Sequence, residues 1–213
     1  MMNKIKTIIF ATGNSGKLRE IKEIFKDLNA DILSMKEAGV FAEPVEDGKS
    51  FEDNSLIKAK AVRELVDSDY PDPEGVLVMA DDSGLEVDFL DKAPGIMSAR
   101  FMGHDTSYDI KNNEILKRLS GVPDEKRTAR FVCAVSAVFF GGDHLVTKKT
   151  MEGRIGYEIE GENGFGYDPI FIPDGFDVTS ATISPEEKNE ISHRGKALRS
   201  MLEMVKERSK GNS

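Results

Sequence analysis

The sequence predicts an α/β protein built on a mixed β-sheet, and three observations carry that expectation. Short apolar, β-branched runs are interspersed with segments whose apolar residues recur every three or four positions. Glycine, proline and asparagine clusters punctuate the boundaries between them. No linker, repeat or charge block divides residues 1–213, so they are expected to form one domain, with no more than two tightly joined lobes.

The elements follow in order. Residues 5–11 read as a strand, broken by Thr12, Gly13, Asn14, Ser15 and Gly16. Leu18, Ile21, Ile24, Phe25 and Leu28 then recur at helical spacing, with Asn14 or Ser15 as N-cap. A second helix is predicted from Ser50 or Phe51 to about Val66, with Leu56, Ala59, Val62 and Val66 as its apolar stripe. A buried strand over 76–80 meets Asp81, Asp82, Ser83 and Gly84, read as a turn, and a further strand is expected over 85–90. Asp105 or Thr106 caps a helix reaching Leu119. Residues 128–140 form the longest β-like run and turn at Gly141-Gly142-Asp143 into a hairpin. Residues 192–205 read as a terminal helix with Ala197, Leu198, Met201, Leu202 and Val205 inward.

Composition narrows the function. Of 213 residues, 29 are Lys or Arg and 38 Asp or Glu, a formal charge of -9. A protein that wraps DNA or RNA neutralises many phosphates with a basic excess, so long nucleic acid and anionic membrane are disfavoured as partners. A small phosphorylated metabolite needs only a local basic pocket. The single cysteine, Cys133, cannot close an intramolecular disulfide and reads as a buried thiol. The apolar stretch near the N-terminus is too short for a transmembrane helix, and a cytoplasmic location is expected.

Four segments carry candidate chemistry. Thr12, Gly13, Asn14, Ser15, Gly16 and Lys17 place small residues at a helix start, where backbone N–H groups and the helix dipole attract anions. The spacing is shorter than a Walker A loop, and Leu18 stands where Ser or Thr would hold magnesium. An ordinary strand-to-helix turn with a solvated lysine fits as well. Asp81 and Asp82 follow a buried strand and point to opposite sides, so one of them is expected to meet a ligand. Glu46 and Asp47 lie in a separate loop; a carboxylate from each segment matches the oxygen ligands that magnesium favours, although acidic loops are commonly just solvated. Lys58, inside the second helix, is ambiguous in the same way. Gly161 to Pro169, with Gly161, Gly164 and Gly166 around Phe165, Tyr167 and Asp168, form either a slot for a planar base or a tight turn over a buried Phe and Tyr. Lys188, His193 and Arg194 gather cationic groups near a helix start, as an anion or carbonyl recognition point or as surface residues.

Taken together and in order, these pieces resemble the inosine triphosphate pyrophosphatase (Ham1-like) family. The matching stretches are TGNSGK at 12–17, EDGKSFEDNSLIKAKA at 46–61, ADDSGLEV at 80–87, APGIMSARF at 93–101, RTARFVCA at 127–134, GFGYDPIF at 164–171 and EEKNEISHRGKAL at 186–198. The resemblance implies an elongated mixed sheet flanked by helices, two lobes with a central nucleotide-binding cleft, and a homodimer. It implies magnesium-dependent hydrolysis of ITP, dITP and XTP to the monophosphate and pyrophosphate. By position, the 12–17 segment and Lys58 would hold phosphates, Glu46 and Asp82 would organise the metal, and Asp82 would accept a proton from water. Ser83, the 165–168 segment, Lys188, His193 and Arg194 would contact the rest of the substrate. Three departures stand out: Thr182 where an acidic residue is common, Asp91-Lys92 in place of a glycine pair, and Met97 where an aromatic is frequent.

Overall fold

The computed structural model describes residues 5–211; residues 1–4 and 212–213 of the expected domain lie outside the described range. Among the described residues, six strands form one sheet: β1 Thr7–Phe10, β2 Asp31–Ser34, β3 Val76–Val87, β4 Thr128–Val138, β5 His144–Ile155 and β6 Phe171–Pro173, in spatial order β2-β1-β3-β4-β5-β6. β1 runs parallel to β2 and β3, whereas β6 is antiparallel to β5, so the sheet is mixed. The helices are α1 Ser15–Ile24, α2 Phe51–Asp69, α3 Tyr108–Arg118, α4 Pro185–Ile191 and α5 His193–Gly211. The α/β class with a mixed sheet is as the sequence predicts. Among the described residues, no helix is long and apolar enough to cross a membrane.

The chain divides into two compact units, each assembled from discontinuous segments. The first takes the described residues of Met1–Asp82, Cys133–Lys148 and Gly195–Ser213. Alternation along its strands builds two separate cores. Ile8, Phe10, Leu77, Met79, Cys133 and Val135 pack with Ile21 and Phe25 and with Ala197, Leu198, Met201 and Val205 of α5. Ile9, Ala11, Val76, Val78 and Ala80 pack with Ala59, Val62 and Val66 of α2. The sheet of this unit is therefore covered on both faces, which explains why its strands are apolar throughout rather than alternating with polar residues.

The second unit comprises Ser83–Val132 and Lys149–Arg194. One core holds it: Leu85, Val87, Ile115, Leu119, Phe131, Met151, Tyr167 and Phe171. Arg127 is buried there, its guanidinium donating to the carbonyls of Leu119, Ile155 and Gly156 while stacking 4.2 Å from the Tyr157 ring centroid. A buried cation that meets carbonyl dipoles in this way ties three segments together at once.

Helix starts follow local chemistry. Asn14 caps α1 by accepting from the Lys17 amide at 3.1 Å, and Ser50 caps α2 by accepting from the Asp53 amide at 3.1 Å. α2 runs three residues past the expected Val66. The cap of α3 is Ser107 rather than Asp105 or Thr106.

The larger correction concerns 81–90. Asp81, Asp82, Ser83 and Gly84 are not a turn between two strands but the middle of β3, which ends at Val87 and gives way to a short 3-10 turn over Asp88–Leu90. That turn closes with Asp91 and Lys92 at φ 51° and 65°. These two residues thus take the left-handed conformation that glycine adopts without strain. Lys92→Gly is expected to stabilise the protein by about 1 kcal/mol, raising Tm by roughly 2–4 °C in a chain of this size. An unchanged or lower melting temperature would show that the turn holds no relievable strain.

Candidate active site

The polar residues of the first unit are sorted by the alternation of β3. Asp81 shares the face of Leu77 and Met79, toward α1, and Asp82 shares the face of Val76, Val78 and Ala80, toward α2. Asp81 is buried and meets the Lys17 ammonium at 2.9 Å, with the Cys133 thiol 4.0 Å from the same oxygen. The Cys133 side chain is buried, as the apolar run suggests, but it lies beside a carboxylate rather than in a purely apolar surround.

Asp82 faces two α2 side chains one turn apart. Lys58 donates to its Oδ1 at 3.0 Å and Asn54 to its Oδ2 at 3.3 Å. Glu46 approaches the same Lys58 ammonium at 3.6 Å, so the two carboxylates expected to act together converge on one cation. Burial pushes the Asp82 carboxyl above its usual range; the ammoniums of Lys58 and Lys17 oppose this without overcoming it, and Glu46 adds to it. Burial pulls Lys58 down, but Asp82, Asp81 and Glu46 outweigh it and hold the ammonium charged.

The Thr12 to Lys17 segment presents a partly exposed turn at the start of α1. Thr12 Oγ1 accepts from the Asn14 amide at 3.2 Å, and Asn14 in turn caps the helix. These bonds fix the turn, and the first amides of α1 have no partner inside the helix. The ammoniums of Lys17 and Lys58 thus gather three carboxylates, Glu46, Asp81 and Asp82, about them. A polyanion approaching three carboxylates is repelled by them and gains from an added cation.

In the second unit the glycine turn forms around Asp168. Its carboxylate accepts from the Phe165 amide at 2.8 Å, the Ser180 hydroxyl at 2.9 Å and the Lys188 ammonium at 2.7 Å. At Gly164, φ is +75° and a Cβ would stand 2.2 Å from an Asp168 oxygen, so only glycine lets the turn close on that carboxylate. The Phe165 ring lies 5.5 Å from both the Lys188 ammonium and the Arg194 guanidinium carbon. Arg194 is buried and reaches the Ser83 hydroxyl at 3.4 Å, and the buried His193 ring stacks on Phe131 with centroids 4.9 Å apart.

Two members of the expected slot are turned away from a binding surface. Tyr167 is buried, its ring edge-on to Tyr108 at 5.3 Å and its hydroxyl donating to the Ser98 carbonyl at 2.9 Å. The Asp168 carboxylate is spent on organising the turn. For these two side chains, the reading of a tight turn over a buried aromatic describes the geometry, while Phe165 and Gly166 stay partly exposed. Asn112 supports the same turn by donating to the Gly166 carbonyl at 3.1 Å. Thr182 is exposed and hydrogen-bonded to Thr179, outside this cluster of charges.

The sequence reading passed over Asn54 and Asn112, whereas the expected opposite facing of Asp81 and Asp82 is what β3 displays. For Asn54 the signal was its place four residues before Lys58 on one helical stripe.

The fold matches solved Ham1 structures. A Staphylococcus aureus Ham1 protein superposes with a TM-score of 0.81 at 35% identity, covering 95% of this chain and 100% of that one. A Mycobacterium abscessus nucleoside-triphosphatase, also described as a dITP/XTP pyrophosphatase, superposes at 0.69 with 40% identity, covering 92% of this chain and 98% of that one. The chain belongs to the Ham1 family, whose model matches residues 8–204. Among its relatives, the dITP/XTP pyrophosphatase of Clostridium perfringens is 44% identical over 207 residues, covering 95% of this chain and 98% of that protein.

Proposed function

We propose that this chain is a nucleoside triphosphate pyrophosphatase acting on ITP, dITP and XTP, removing deaminated purines from the nucleotide pool. Water attacks the α-phosphorus, the bond to the bridging oxygen breaks, and the nucleoside monophosphate and pyrophosphate leave. The observation that carries this reading is the convergence of Glu46 and Asp82 on the Lys58 ammonium, in a chain whose relatives are named for the same reaction.

Among the described residues, no group of three or more His, Cys, Asp or Glu side chains is arranged to hold a metal. Glu46 and Asp82, converging on one ammonium, nonetheless supply the carboxylate oxygens that a magnesium ion favours. Glu46 and Asp82 would hold it, and it would supply charge stabilisation at the phosphates. Asp82 accepts the proton of the attacking water; burial raises its carboxyl above the ordinary range and so makes the carboxylate a stronger base. Lys17, Lys58 and the amides of the 12–16 turn bind phosphate oxygens and offset the charge gathering on the leaving pyrophosphate. Ser83, Phe165, Gly166, Lys188, His193 and Arg194 serve the nucleoside end, with Tyr167 and Asp168 shaping the turn that carries Phe165. The resemblance further supports a cytoplasmic homodimer.

Pyrophosphate release measured over ITP, dITP, XTP, ATP and GTP, with magnesium and with a chelator, tests the proposal. Release from the first three, abolished by the chelator and much weaker from ATP, is expected. Nucleotide binding without release would make the chain a sensor, and no nucleotide binding would make it an interaction protein. Either result overturns the reading.

A further inference from the structure

Asn54 contributes no charge and no proton, yet it is wholly buried at the meeting point of the Glu46 loop and Asp82. We propose that it is a positioning residue, whose amide orients the Asp82 carboxylate while its carbonyl oxygen fastens the loop at Gly48. This rests on the reading of Asp82 as the proton acceptor.

The direction of the amide follows from its neighbours. The Gly48 backbone N–H only donates, so the atom facing it at 2.9 Å is the acceptor Oδ1. The NH2 group then faces Asp82 Oδ2 at 3.3 Å. Turning the amide over would set donor against donor and oxygen against carboxylate, losing both bonds together. A wholly buried amide pays for each bond it fails to make.

The loop is shaped for this contact. A Cβ on Gly48 would stand 2.6 Å from Asn54 Oδ1 and 2.7 Å from Asp53 Cβ, so the approach requires glycine. The loop has a second tie, from the Lys49 amide to Asp53 Oδ2 at 3.3 Å, which does not depend on Asn54. Loss of the Asn54 carbonyl therefore loosens the Glu46 loop without releasing it.

At Asp82 the effect is geometric. Asn54 and Lys58 lie four residues apart on α2, and each donates to a different oxygen of the same carboxylate. With both oxygens engaged, rotation of the carboxylate about its last side-chain bond breaks a hydrogen bond in either direction. Lys58 alone would leave that rotation open, because one ammonium serves either oxygen equally. Small errors in aiming a reacting group cost large factors in rate without a matching loss of binding.

Asn54→Asp separates the two contacts. It keeps an acceptor for the Gly48 amide and replaces the donor facing Asp82 with an oxygen. Asn54→Ala removes both. With ITP and saturating magnesium, kcat is expected to fall roughly ten- to a hundredfold in each variant. KM, and ITP affinity measured by calorimetry in chelator, should stay within about threefold of wild type, because Asn54 touches no phosphate-binding group. Wild-type kcat in Asn54→Asp would reduce Asn54 to a loop clamp and overturn the proposal, as would kcat and metal-free ITP affinity falling together. If Asn54→Asp does not fold, wild-type kcat in Asn54→Ala does the same. Absence of pyrophosphate release by the wild-type chain would instead strike at the function proposed above, so the two failures are told apart.

Discussion

Asp82→Asn is expected to cut pyrophosphate release from ITP by on the order of a hundredfold or more, with the melting temperature unchanged or slightly raised. The substitution keeps the shape of the side chain and removes both the proton acceptor and half of the carboxylate pair that faces Lys58. The stability half of the prediction follows from the direction of the Asp82 shift. Burial, the largest cause, lifts its folded pKa above that of the unfolded chain. For such a group the native state loses stability as pH rises through the folded pKa, because ionisation is harder inside the fold than outside it. At neutral pH the wild type bears that penalty and the neutral isostere does not. Loss of the Lys58 contact opposes the gain, and Glu46 still faces that ammonium. Turnover at saturating magnesium and a thermal melt, on one preparation, check both halves. Wild-type turnover would remove Asp82 from the chemistry. A melting temperature lowered by many degrees would make it a structural residue whose loss of activity says nothing about proton transfer.

What the sequence revealed about this site, and what it hid, follows physical lines. The 12–17 segment was legible because a capping asparagine, small residues and a helical apolar stripe agree over a few positions, and Asn14 does cap α1. Ser50 and the stripe of α2 were legible for the same reason. The Asp81-Asp82-Ser83-Gly84 run was misread as a turn because aspartate and glycine are poor strand formers. Tertiary contacts reverse that preference: β3 continues because Lys17 takes one aspartate and Lys58 and Asn54 take the other, offsetting the cost of burying both. β2 and β6, at four and three residues, offered too few positions for any period to show. α4 offered no apolar stripe, although its cap was written plainly. Ser184 accepts from the Glu187 amide, with Pro185 at the first helical position. Asn54 was hidden for another reason. An asparagine on a helix acquires meaning only once a distant backbone amide and a distant carboxylate are known to meet it.

Arg194→Ala is expected to lower the ratio of kcat/KM for ITP over ATP by about ten- to a hundredfold. Hypoxanthine and xanthine carry an oxygen at purine position six, whereas adenine carries an amino donor. A guanidinium has only donors, so it pairs with the oxygen and meets the amine with no acceptor to offer. The three cationic groups have different surroundings. The Lys188 ammonium is 2.7 Å from Asp168 and braces the glycine turn, and the His193 ring is stacked against Phe131. Arg194 is buried, within 5.5 Å of the Phe165 ring, and its Nη2 makes a long 3.4 Å contact to Ser83 Oγ. Phe165 presents a ring face that stacks on any purine without reading its edge, so Phe165→Ala should weaken ITP, XTP and ATP alike. Replacing a buried arginine also risks lowering the amount of folded enzyme, which is why the ratio rather than the rate is decisive. Both substrates are turned over by the same folded fraction, so inactive protein cancels from the quotient. A ratio equal to that of the wild type would place discrimination elsewhere, most directly in the backbone of the 165–168 turn, whose amides and carbonyls are held in fixed directions by Asp168 and Asn112.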